Sequence, residues 1–228
     1  MNRIHARLAS ALAILATATA APLVAHDGAQ GDVSYVNKSI TVDDGGKAGD
    51  LDTVNGSIRV GENATIQSAE TVNGGVRMGR GAHADSIETV NGGVDLAEDT
   101  TVARDVEAVN GSIELMRGAE VVGDLENVNG AIDVRAARVG GRISTVSGDI
   151  RVVEGARVDG GILVEKPSGW FNWNSSQNRP PRIVIGENAV VGGELRFERE
   201  VELHVHQSAK IGKVVGATAK TYTGTAPF

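Results

Sequence analysis

The residues with most chemical capacity in this chain recur at fixed spacing. Asp52, Glu70, Glu88, Glu107 and Glu126 follow one another at intervals of 18 or 19 residues. Carboxylates brought into one line could hold a divalent cation, Ca²⁺ above all, or a cationic polymer. The plainer reading is a solvated acidic edge that discourages sideways aggregation. The Gly-rich nonapeptide repeat of calcium-binding β-rolls is absent. Asn37, Asn55, Asn73, Asn91, Asn110 and Asn129 form a second column. Stacked amides can hydrogen-bond to one another and need no ligand, so this column reads as structural. Arg59, Arg77, Asp95, Glu114, Asp133 and Arg151 form a third, of mixed sign, with opposite charges meeting at two points. It reads as an exposed face holding little energy.

Other candidates stand outside the columns. Trp170, Phe171 and Trp173 are three of seven aromatics. Such a cluster can stack on the sugar rings of a polysaccharide, anchor an envelope protein, or fold back on the body. His204 and His206 flank Val205 and should both point outward on one strand. Two histidines without a third ligand read as surface residues rather than a metal site. His26 would become N-terminal on leader cleavage, but no second histidine is identifiable to complete a copper site. There is no nucleophile elbow, metalloprotease helix or phosphate loop. No catalytic residue and no cofactor is nominated, and the chain is not read as an enzyme. Carboxylate pairs are too common on this surface to single out an acid/base couple.

These residues need a frame that repeats. The sequence shows it after a leader. Residues 1–25 run from Arg3 and Arg7 through an Ala-rich apolar stretch to Ala25, the order of a secretory signal peptide. The apolar stretch is short for a membrane span, and no later segment approaches that length. Cleavage would leave no integral membrane segment and place the protein in the periplasm or outside a bacterial cell. The 228 residues include 30 Gly and no Cys, with a net charge of −7. These values exclude a disulfide scaffold and argue against a nucleic-acid partner. A hydrophobic content of 41% is enough for a core.

The frame is a phrase written many times. Val54-Asn55-Gly56-Ser57-Ile58 returns as Val72-Asn73-Gly74-Gly75-Val76 and Val90-Asn91-Gly92-Gly93-Val94, then at Val109, Val128 and, altered, Val146. Within each copy a beat of six runs through Val54, Val60, Ile66, Val72, Met78, Ala84 and Val90. Short Ile-x-Val alternations read as strands of two or three residues. Asn-Gly supplies turns that tolerate positive φ. Three strands per 18 residues predict an all-β, single-stranded parallel β-helix, a triangular β-solenoid of about nine coils, roughly 40 to 45 Å long. The expected organisation is a cap or linker at 26–35, a solenoid at 36–216 with a Trp- and Pro-rich loop inserted at 167–181, and a tail at 217–228. Handedness is not legible.

The Val-Asn-Gly-x-Ile copies resemble the adhesin-like β-solenoid domains of exported bacterial proteins, a family largely of unknown function. The resemblance covers about residues 36–164. Ile183-Val184-Ile185-Gly186-Glu187-Asn188-Ala189-Val190-Val191-Gly192-Gly193 is similar to bactofilins, polymer-forming cytoskeletal proteins. Bactofilins generally lack a cleaved leader, and neither family supplies catalytic residues. The resemblance implies a structural or interaction protein of the envelope, adhesin-like or self-associating end to end. A polysaccharide-binding module using Trp170 and Trp173 is the alternative. A solenoid acyltransferase or polysaccharide lyase fits less well. No histidine lies in the loop, export separates the chain from cytosolic acyl donors, and the coils are small for a lyase.

Overall fold

The computed structural model describes residues 31–167 and 179–226. Among these, the chain forms 27 short strands, from β1 (Val33–Tyr35) to β27 (Lys220–Tyr222), and no helix. All strand pairs are parallel, and each strand pairs with its equivalent one coil away. Three sheets result. The first face has ten strands, from β1 through β3 (Leu51–Asn55) and β5 (Ser68–Asn73) to β26 (Val214–Val215). The second also has ten, from β2 (Ile40–Val42) through β4 (Ile58–Val60) to β27. The third has seven, from β7 (His83–Ala84) to β25 (Lys210–Ile211), and isolated bridges extend it back to Thr65 and Lys47. The protein is therefore a three-faced β-solenoid. Ten stacked strands at about 4.8 Å give a rod of roughly 43 Å.

Each face sends two side chains inward in a typical coil, so a coil fills its core with six. Leu51 and Thr53 come from the first face, Ile58 and Val60 from the second, Ala64 and Ile66 from the third; all are buried. The next coil supplies Ala69 and Thr71, Val76 and Met78, Ala82 and Ala84. The core is one continuous cluster from Ile40 to Val205. No coil could bury its apolar side chains alone, so stacking is what makes the fold favourable.

The repeat valines depart from expectation. Val54, Val72 and Val90 are only half-buried, and the threonine before each one points inward. Strand alternation is anchored at Leu51, which puts 51 and 53 inside and 52 and 54 outside. Five consecutive first-face strands, from β3 to the one at Leu125–Asn129, are also longer than two or three residues, reaching six in β5.

The corner glycines serve a different purpose from the expected one. In the Asn-Gly corner only Gly130 has positive φ, at 133°. The others are needed because the coils touch: a Cβ at Gly74, Gly92 or Gly111 would overlap the carbonyl oxygen of the glycine one coil below. Left-handed residues lie at a different corner, between the second and third faces: Gly45, Asn63, Gly81, Asp99, Gly118, Ala136 and Asn188.

The ends also extend further than expected. Val33–Tyr35 and Lys220–Tyr222, placed by sequence in a cap and a tail, are the outermost strands of the first and second faces.

Candidate interaction surface

The acidic column lies on the first face, in register from strand to strand. Asp52 pairs with Glu70, Glu70 with Glu88, Glu88 with Glu107, and Glu107 with Glu126. Ser34 and Ser144 close the row at either end. The row is not a solvated edge along its whole length: Asp52, Glu70 and Glu88 are half-buried, and Glu107 and Glu126 are buried. Burial, then Glu88, Asp52 and Asp50, pushes the Glu70 carboxyl up to about 7. Burial also raises Asp52, although a hydrogen bond from Ser34 opposes it. Glu88 rises through burial and Asp105, with Arg104 opposing. Among the described residues no three His, Asp or Glu come together in a group that could hold a metal ion.

The asparagine column forms the corner between the first and second faces. Asn55 Nδ2 donates to Asn37 Oδ1 at 2.8 Å, and Asn73, Asn91, Asn110 and Asn129 continue the chain at 2.8 to 3.1 Å. Behind it stands a second ladder that the sequence reading did not single out. Thr53, Thr71 and Thr89 donate from inside to the carbonyls of Lys38, Gly56 and Gly74, one coil down. Asn127 takes this role at Gly111, but its buried Oδ1 has no partner. The signal was present in the recurring Thr-Val-Asn-Gly.

The mixed column runs along the second face. Its two sign changes form ion pairs, Arg77 with Asp95 at 3.0 Å and Arg151 with Asp133 at 3.7 Å.

The inserted loop leaves the rod where an Asn-Gly corner would otherwise be. β20 (Ile162–Val164) ends on the first face, and β21 (Arg182–Ile185) resumes on the second. Trp170, Phe171 and Trp173 lie outside the described residues. At the return of the loop, Arg179 grips both oxygens of Asp149 at 2.9 and 2.6 Å, and the Arg182 amide donates to the same carboxylate. Burial acts to raise Asp149, but Arg179 and Arg182 outweigh it and hold it below the usual value. Arg199 from the next coil reaches back to the Val146 carbonyl at 2.9 Å. Sequence reasoning missed this clasp, because its partners are 30 to 53 residues apart.

The histidines are partly corrected. Both leave the core side of β24 (Glu202–His206), as expected, but His206 is 6% exposed rather than a surface residue. Tyr222 covers it edge-on, with ring centroids 5.1 Å apart, and its Nδ1 lies 2.8 Å from Ser208 Oγ. Burial, then Lys220, lowers the His204 pKa. His26 lies outside the described residues.

The two ends differ in charge. The first coil carries Asp32, Asp43 and Asp44 against Lys38 and Lys47, and Asp50 and Asp52 follow where the second coil begins. From Leu203 to Ala226 there are Lys210, Lys213 and Lys220 and no carboxylate side chain. Among the described residues nothing pairs with the outer edges of β1, β2, β26 and β27.

No family model matches the chain, and neither does any curated protein or solved structure.

Proposed function

We propose that this chain is an exported structural rod of the bacterial envelope, which presents long adhesin-like faces and associates with itself through its ends. The observation that carries the reading is the pair of ends that no other strand covers among the described residues. Parallel sheets of ten strands stop at β1 and β2 on one side and at β26 and β27 on the other. Their outer N–H and C=O groups are a template for another strand. Partly buried apolar residues sit at both ends, Val33, Tyr35 and Ala48 at one, Ile211, Val214 and Ala217 at the other. The leader-like residues 1–25 support export, and the uniform columns suit a presenting surface more than a single pocket.

Negative-stain electron microscopy of the purified protein across a concentration series tests this. End-to-end chains that lengthen with concentration are expected. Discrete rods of about 43 Å at every concentration would overturn the self-associating role.

A further inference from the structure

We infer that the ends meet head to tail, the C-terminal coil of one copy seated under the N-terminal coil of the next, so that the assembly is polar. The inference rests on the self-association proposed above and specifies its partner and direction.

Register supplies the first argument. The columns run unbroken through the rod, so the residues that would meet can be named. Leu195 pairs with Val214 in the last first-face step, and Val33 pairs with Leu51 in the first. A further step in the same register puts Val33 of the next copy over Val214, where both apolar side chains are only partly covered in the single rod. On the second face, Val205 pairs with Thr221 and Val42 with Val60. Ala219 and Thr221 would therefore meet Ile40 and Val42 of the next copy. Both are small and exposed at the C-terminal end, so they leave room for the two apolar side chains above them.

Charge supplies the second argument and decides the direction. Lys213 and Asp32 occupy the same column, each immediately before the inward valine of its strand. Stacking places the ammonium beneath the carboxylate. Lys220 lies in the column of Thr41, beside Asp43 of the next copy. The third face ends a rung early, at Lys210–Ile211, which keeps Lys210 a step away from Lys47. Head-to-head contact would instead bring Asp32, Asp43 and Asp44 against their own copies. Tail-to-tail contact would bring Lys213 and Lys220 against their own copies, with Lys210 one rung behind. Like-charge juxtaposition of this kind disfavours both. A head-to-tail contact uses different surfaces on its two sides and leaves a free end at every step, so it produces open chains.

Two variants test the inference by sedimentation velocity, with circular dichroism confirming that each remains a β fold. One carries Lys213→Glu and Lys220→Glu, the other Asp32→Lys and Asp43→Lys. Each alone is expected to need a concentration at least roughly tenfold higher than the unmodified protein to assemble. An equimolar mixture should assemble again, because the acidic end of one now meets the basic end of the other. Chains of the unmodified protein should also shorten in 1 M NaCl, where the screening length falls to about 3 Å. Full assembly by either variant alone, or a mixture that assembles no better than its components, would overturn the head-to-tail contact while leaving self-association standing. An unmodified protein that stays monomeric throughout would overturn both.

Discussion

Gly92 and Gly45 show how differently one residue type can be used in this rod. Gly45 has φ +67°, and a Cβ there meets nothing within 4 Å. Gly45→Ala therefore adds only left-handed strain and should lower stability by about 1 to 2 kcal/mol. Gly92 sits under the stack, where a Cβ would strike the Gly74 carbonyl and no flexible atom can yield. Gly92→Ala should lower stability by about 3 kcal/mol or more. Urea denaturation of both variants checks the order; equal losses would mean that coil spacing at the corner is not fixed. Asn127 makes the opposite case. Its Oδ1 is buried without a partner, while the same position holds a threonine in four other coils. Asn127→Thr removes the orphan acceptor and keeps a donor toward Gly111. It should stabilise the protein by about 1 kcal/mol in the same measurement. A loss of stability would show that the amide's volume matters more than its unmet oxygen.

At the scale of elements, the acidic row turns strand register into pH dependence. Asp52, Glu70 and Glu88 are all raised, chiefly by burial. A carboxyl raised on folding holds its proton more firmly in the native chain. The fold is then favoured most below the ordinary carboxylate value of about 4.5, and the advantage disappears as pH climbs toward 7. Asp149 has the opposite sign, since its clasp with Arg179 is lost as pH falls. Glu70→Gln removes the titration but keeps the shape. It should raise stability at pH 8 by about 1 to 2 kcal/mol after solvent screening is allowed for, and by little at pH 4. Thermal melts at the two pH values decide the matter. Equal shifts at both would locate the effect in packing rather than charge.

Across the whole molecule, stability should follow position along the axis. Each coil stacks chiefly on its neighbours, so interior coils have two supporting interfaces and terminal coils one. The terminal side chains are the less buried ones, with Val33 and Tyr35 at one end and Val214 and Tyr222 at the other only partly covered. Amide hydrogen exchange should be slowest from Val94 to Val152 and fastest in β1 and β27. Under conditions that promote head-to-tail assembly, protection at both ends should rise together. Flat protection along the rod would show that it unfolds as one unit.

The repeat spacing by itself determined the solenoid, because a period of 18 or 19 residues with three short strands allows only stacked coils to bury the apolar positions. It also determined the asparagine ladder and the two ion pairs of the mixed column, since equal positions in successive coils must become neighbours. The depth of each column was decided only by tertiary structure. Whether Thr53 or Val54 faces inward depends on where strand alternation is anchored, and composition favours the wrong residue. Glu107 and Glu126 are buried where Asp52, Glu70 and Glu88 of the same column are half-buried, and His206 is covered by Tyr222, its register partner in the last coil. The clasp of Arg179 and Arg199 joins residues far outside one repeat, where periodicity carries no information. The charge difference between the ends is written in the sequence, but it bears on assembly only because register puts Lys213 and Asp32 in one column.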